Sequence, residues 1–332
     1  MIDFAVIGGG WRSEFYIRIA QALPDIFNIT GIYLRNEQTK KEFEEKFNVP
    51  IFNSLDALLE TSPNFLVSCV NKDNILNEVE FLCNKGFPVL SETPAGNSLK
   101  KIDEFKNKIN PNWKIQVAEQ FHLQPRNQAI KSIIDSGVLG DVHHVQLSCC
   151  HDYHAISLMR FFLGIDNEIP TVNRLTLNDK VVRYNGRNGK ITPTEVLSEQ
   201  KIAVFNYGNK TAVYDFNLEQ YFSSIRSTRI VVRGTNGEIV NNTCTYLKDN
   251  TPITFDLVRN YCGTEENLDG LYLEAITGNG NILFENPFYK ARLTDEEIAI
   301  AQCLVKMDNY VKTGVDFYSL SSAMTDAKTA LL

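Results

Sequence analysis

Through the first 120 residues, short apolar runs rich in β-branched residues alternate with segments of helical period. The runs Phe4–Ile7, Ile29–Leu34, Ile51–Phe52, Phe65–Val70, Val89–Ser91 and Ile115–Ala118 predict strands. Between them, Ser13–Ala22, Glu37–Phe47, Ser54–Glu60, Ile75–Asn84 and Leu99–Ile109 predict helices. Strand–helix alternation calls for crossover connections, hence a parallel sheet covered by helices on both faces. The expectation for residues 1–120 is an α/β, doubly wound parallel sheet of the nucleotide-binding kind.

One more helix, Pro125–Ser136, stops at Gly137 and Gly140, and the pattern then changes. His143–Ser148, Lys201–Tyr207, Thr211–Phe216, Ile230–Gly234, Gly237–Asn241, Leu271–Thr277 and Ile282–Phe284 read as strands. Turn signals such as Tyr207-Gly-Asn, Gly234-Thr-Asn-Gly and Gly278-Asn-Gly separate them. This predicts a second, α+β domain over residues 121–332, built on a mostly antiparallel open sheet. Helices over Thr294–Thr313 and Ser319–Leu331 close the chain, the first opened by a Thr294…Glu297 capping box.

A length of 332 residues leaves room for two cored domains. Thirty-three basic against forty acidic side chains leave a charge of −7, which argues against nucleic acid or an anionic membrane as a partner. No leader pattern precedes the first strand, and no apolar run nears the about 18 residues that span a bilayer, so a cytoplasmic protein is expected. Seven scattered cysteines without a Cys-x-x-Cys pair predict free thiols, with neither a disulfide framework nor a metal site. All five histidines (His122, His143, His144, His151 and His154) fall within residues 122–154, so any histidine chemistry comes from that window.

Gly8-Gly9-Gly10-Trp11-Arg12-Ser13 follows the first strand and opens a helix, the setting a dinucleotide-binding turn requires. Gly8 permits the tight turn, Gly10 lets backbone approach a pyrophosphate, and Ser13 replaces the usual third glycine. An NAD-specific site places a carboxylate at the end of the second strand, about 20 residues on, to bind the ribose 2′-hydroxyl. Here Leu34 stands at that position and Arg35 follows. A guanidinium without the carboxylate suits a 2′-phosphate, so NADP(H) is favoured over NAD(H).

At Val89-Leu-Ser-Glu-Thr-Pro-Ala95 the chain resembles the glucose-fructose oxidoreductase, inositol dehydrogenase and MocA (Gfo/Idh/MocA) family of NAD(P)-dependent oxidoreductases. That family's Glu-Lys-Pro signature is matched by Glu92-Thr93-Pro94. The resemblance runs on through Ser136-Gly-Val-Leu-Gly-Asp141, His154-Ala-Ile-Ser-Leu-Met-Arg-Phe-Phe-Leu-Gly164 and Asn286-Pro-Phe. It implies a Rossmann domain followed by an α/β domain whose sheet forms subunit contacts, hence a homodimer or homotetramer. It also implies that Gly8, Gly10, Trp11 and Arg12 line the pyrophosphate turn and that Arg35 and Asn36 lie near the adenosine ribose. Val70, Asn71, Glu92 and Pro94 would follow the ribose and nicotinamide, and Gln120 would approach nicotinamide or substrate. His154 matches the family histidine that faces substrate. The family lysine is Thr93 here, the aspartate three residues after the histidine is Ser157, and the acidic residue four before it is Cys150.

A threonine supplies neither positive charge nor a proton near neutral pH. With no lysine at 93, His154 becomes the expected proton donor and acceptor for hydride transfer to or from a small polyhydroxylated or carbonyl substrate. Thr93 could add a neutral hydrogen bond, while His151, Asp152 and Tyr153 could orient His154 or hold substrate hydroxyls. The rival readings are a catalytically silent nucleotide-binding regulator that has lost the lysine, and a lyase or epimerase whose oxidation and reduction cancel.

Overall fold

β1 (Ile2–Ile7) lies inside a six-stranded parallel sheet with β2 (Phe27–Tyr33), β3 (Ile51–Phe52), β4 (Phe65–Ser68), β5 (Val89–Ser91) and β6 (Ile115–Val117). The order is β3-β2-β1-β4-β5-β6 in a computed structural model that describes residues 1–263 and 271–332. The intervening helices are α1 (Trp11–Ala22), α2 (Glu37–Lys46), α3 (Leu55–Leu59), α4 (Ile75–Asn84) and α5 (Leu99–Lys106). Phe65, Leu66 and Val67 have no exposed surface, which explains why β4 reads as a continuous apolar run with no alternation. Strand order reverses between β1 and β4, and in such sheets the crevice at that point receives ligands.

The turn after β1 can be built only by glycine at its first position. Gly8 has φ +111°, and a Cβ added there would stand 2.7 Å from the carbonyl oxygen of Cys69, at the end of β4. The chain then enters α1 with Gly10 as N-cap.

α6 (Pro125–Asp135) precedes an eight-stranded sheet of β7 (Val142–Ser148), β8 (Thr171–Gly186), β9 (Gly189–Asn206), β10 (Thr211–Asn217), β11 (Arg229–Gly234), β12 (Gly237–Val240), β13 (Thr243–Lys248) and β14 (Thr251–Asp256). Its order is β14-β13-β12-β11-β7-β10-β9-β8, and only the β7–β10 pair is parallel. α7 (Asp152–Leu163) packs against β7 and is buried from His154 to Arg160. β15 (Val258–Cys262), β16 (Tyr272–Gly278) and β17 (Asn281–Glu285) form a three-stranded sheet, and α8 (Asp295–Thr313) and α9 (Leu320–Leu331) end the chain.

Both sheets agree with the fold class expected from periodicity, but several strands carry no signal. β8, the first half of β9, β13, β14 and β15 were not among the expected strands. Only Val181 of β8 is buried, so no buried face imposes a readable alternation on that strand. The division of the chain also differs from a break at residue 120. Contacts group Met1–Pro125 with Asn260–Ala275 and Glu285–Leu331 in one unit, and Arg126–Arg259 with Ile276–Phe284 in the other. Within the first unit α8 packs on α1, β1 and β4, while α9 packs on α5 and β6. The Val117 amide donates to the Tyr318 carbonyl at 2.9 Å, extending that sheet with a distant segment of the chain. Among the described residues no helix is long and apolar enough to cross a membrane.

Two substitutions test these local arguments by urea denaturation. Gly8→Ala is expected to cost about 1–3 kcal/mol from φ alone, with the Cys69 clash added. Thr294 caps α8 by accepting the Glu297 amide at 3.2 Å while Glu297 returns the bond at 3.0 Å, so Thr294→Ala is expected to cost about 1 kcal/mol.

Candidate functional site: a glycine turn and the first turn of α7

In the first unit the glycine turn is braced from inside and open outside. The Ser13 hydroxyl donates to the Gly8 carbonyl at 2.7 Å, so the residue replacing the third glycine ties the turn together. A Cβ on Gly10 would meet nothing within 4 Å. The N-cap of α1, Gly10, has no side chain with which to cap the helix, and the first turn of α1 presents the positive end of the helix dipole there. That combination fits an anion such as a dinucleotide pyrophosphate. Gly9, which the motif leaves unconstrained, is equally restricted: its Cβ would lie 2.6 Å from Thr39 and 2.7 Å from Leu34.

Behind the turn lies a cluster of buried charge. Glu92 is 6% exposed and accepts from the Tyr16 hydroxyl at 2.6 Å and from the Thr93 amide at 3.3 Å. Arg12 reaches Glu92 at 3.7 Å and donates to Glu296 of α8 at 2.7 Å. Burial pushes the Glu92 carboxyl above its ordinary range, against the opposing pull of Arg12. Burial and Glu92 likewise push Tyr16 up, so its phenol stays protonated and remains a donor. Gln120 sits beside this pair, and its amide reaches Glu296 at 3.3 Å in one orientation. The reversed orientation satisfies both ends, donating to the Ala118 carbonyl at 2.9 Å and accepting from Arg12 at 3.3 Å, and we adopt it. The Arg12 guanidinium also stacks 4.4 Å over the Trp11 ring.

The other residues expected along a dinucleotide divide clearly. Arg35 is exposed, with no hydrogen-bond or ion-pair partner among the described residues, and Leu34 before it is buried. Asn36 is committed to capping α2, accepting the Thr39 amide at 2.9 Å. Val70 is half-buried, and exposed Asn71 accepts the Asn74 amide at 3.2 Å. Thr93 and Pro94 are half-buried and joined by a cis peptide bond.

In the second unit the expected window assembles around the start of α7. Tyrosine hydroxyls take the place of a side-chain cap. Tyr221 accepts the His151 amide at 2.8 Å, and Tyr214 of β10 accepts the Asp152 amide at 3.0 Å. Both ring nitrogens of His151 are engaged by phenols, Nδ1 with Tyr221 at 2.5 Å and Nε2 with Tyr153 at 3.2 Å. Burial pushes Tyr214 and Tyr221 upward, so both remain phenols at neutral pH. Asp152 holds φ at +33°, a conformation L residues seldom adopt, while Lys201 of β9 donates to both its carboxylate oxygens at 3.2 Å. His154, 3% exposed, packs its ring 4.3 Å from Tyr153 and 5.0 Å from His151.

His143 and His144 each find partners where they stand, the Asp141 carbonyl at 3.1 Å and the Thr211 hydroxyl at 3.0 Å. His122 packs edge-on to Tyr318 with ring centroids 4.9 Å apart. Arg160 donates to the Asp166 carbonyl at 2.5 Å and to Asn167 at 3.2 Å. Among the described residues no group of three or more His, Cys, Asp or Glu side chains could hold a metal ion. Sequence reasoning did not single out Tyr16, Lys201, Tyr214, Tyr221 or Glu296. Each comes from a distant segment, and no local pattern marks it.

Residues 2–119 match the family model described as an oxidoreductase family with an NAD-binding Rossmann fold. No curated protein matches the chain. An oxidoreductase from Agrobacterium radiobacter, crystallised with NAD+, L-tartaric acid and magnesium, is similar in structure at a TM-score of 0.69 and 15% identity, over 99% of this chain and 94% of that one. A myo-inositol dehydrogenase from Corynebacterium glutamicum is similar at 0.66 and 13% identity, over 100% and 95%. A scyllo-inositol dehydrogenase from Lactobacillus casei is similar at 0.66 and 14% identity, over 100% and 94%. At such identities these likenesses speak to fold alone. Residues 2–119, the stretch that carries the glycine turn and Glu92-Thr93-Pro94, are thus similar to the Gfo/Idh/MocA family of oxidoreductases with an NAD-binding Rossmann fold.

Proposed function

We propose that this protein is an NADP(H)-dependent oxidoreductase that moves hydride between the nicotinamide and a small polyhydroxylated or carbonyl compound, such as a sugar or cyclitol derivative, in the cytoplasm. The observation that carries the reading is the N-terminus of α1 at Gly10, an N-cap without a side chain, where a Cβ would meet nothing within 4 Å. Two structural neighbours are described as inositol dehydrogenases, which supports a polyol as substrate class. The bound nicotinamide supplies the hydride chemistry, and the protein supplies placement and protons.

The exposed Arg35 guanidinium takes the 2′-phosphate, a role that suits its lack of any partner among the described residues. Asn36 contributes its backbone more than its side chain, since the side chain caps α2. His154 is the proposed proton donor and acceptor for the reacting oxygen, and Thr93 the proposed source of a neutral hydrogen bond. His151, held through both ring nitrogens by Tyr221 and Tyr153, fixes the hydroxyl of Tyr153 for a substrate oxygen. Asp152, oriented by Lys201, offers a carboxylate to substrate hydroxyls, and Gln120 serves the nicotinamide end. Exposed Leu175, Leu177 and Val204 share one face of the β8–β9 ladder, which supports a homo-oligomer formed through this sheet. A silent regulator is favoured only by Thr93, and cofactor binding without turnover across a broad polyol and carbonyl panel would establish it.

Two measurements test the reading. NADPH is expected to bind at least about tenfold tighter than NADH, a preference that Arg35→Gln removes, and equal affinities in the unaltered protein would take Arg35 out of this role. On a substrate found by the panel, His154→Ala is expected to lower kcat by about 100-fold or more, and a loss of only a few-fold would refute the proton role.

A further inference from the structure

Arg12 stands at the second position of α1, beside the turn that takes the pyrophosphate, yet its guanidinium is already engaged by two carboxylates. They are not equivalent. Glu92 is 8% exposed in its side chain and has the Tyr16 hydroxyl and the Thr93 amide as further donors. Glu296 is 34% exposed, and its short contact is the 2.7 Å bond from Arg12 Nη1. Nor does α8 need Glu296 to begin, because Glu297 completes the capping box with Thr294 and also receives Arg18 at 2.9 Å. Of the carboxylates at this corner, Glu296 alone forms a close ion pair without a structural task that accounts for it.

We infer that Glu296 is a positioning residue for dinucleotide binding: it holds Arg12 away from the pyrophosphate, and the ion pair opens when the dinucleotide enters. The inference rests on the reading that the glycine turn binds a dinucleotide. The charge balance supports it. One guanidinium facing two carboxylates leaves a site for a diphosphate with surplus negative charge, and the more exposed carboxylate is the one the ligand can displace. The stack of Arg12 on Trp11 at 4.4 Å and its reach to Gln120 leave the guanidinium supported after Glu296 lets go. Glu296 belongs to the C-terminal helix pair, so the end of the chain sets the affinity of a turn built at its beginning. A purely structural clamp makes the opposite prediction, since removing it would loosen α1 and weaken binding.

Isothermal titration of NADP+ and of NAD+ into the unaltered full-length chain and into Glu296→Gln separates these cases. Glutamine keeps the size and one hydrogen-bond acceptor while removing the charge. Kd for the preferred dinucleotide is expected to fall about tenfold in Glu296→Gln, the scale of one charge-assisted hydrogen bond. Glu296→Ala, with thermal melts of all three proteins, repeats the comparison should the glutamine variant fold poorly. Unchanged or weaker binding in the variants, with the unaltered protein still binding, overturns the role of Glu296 and leaves the cofactor reading standing. Binding of neither dinucleotide by any of the three overturns both.

Discussion

The cofactor-facing half of this chain depends on the approach of Gly8 to the end of β4. The Gly8 amide donates to the Tyr33 carbonyl on β2 at 3.1 Å, and the Cys69 amide donates to the Ile7 carbonyl at 2.8 Å. The end of β1 is thereby held between its two neighbours where strand order reverses. No side chain fits there, since a Cβ would strike the Cys69 carbonyl. The chain must turn at this point, and the Ser13 hydroxyl on the Gly8 carbonyl directs it into α1. Helix direction, and with it the placement of the first-turn N–H groups of α1, follows from that contact.

The same corner shows how a buried carboxylate is tolerated. Desolvating Glu92 is costly, and a phenol, an amide and a guanidinium together offset that cost. Two of the donors, Tyr16 and Arg12, come from α1, and the third is the amide of Thr93, the residue that follows Glu92. The Glu-Thr-Pro segment is therefore a structural node, and threonine at 93 supplies its backbone donor to Glu92.

At the start of α7, strain and polar contacts meet. Asp152 adopts a left-handed conformation while Tyr214, Tyr221 and Lys201 bind around it. Helices more often begin with a serine, threonine or aspartate cap, whose short side chain reaches back to the amides. Here phenols from β10 and the following 3-10 turn do that work, so the first turn of α7 is rigid only when the sheet beneath it is formed.

Local chemistry was enough to announce much of this. Apolar runs without alternation marked the parallel strands because both their faces are buried, and Gly8 was legible because backbone geometry admits few alternatives to glycine. The helix limits came close for the same reason: Ile75–Asn84 was anticipated at both ends, and the Thr294…Glu297 box closes as its residue types require. β8 left no trace because its side chains are exposed on both faces, and the grouping of α8 and α9 with the first unit could not be read from their amphipathic patterns, which state that a face is buried but not against what. For the site, residue types named His154, His151 and Asp152, since few side chains titrate near neutral pH or bind polyols. Their partners Tyr221, Tyr214 and Lys201 lie 49 to 70 residues away by chain, and Glu296 lies 284 from Arg12. Such pairings arise when folding brings distant segments together, and no spacing along the chain encodes them.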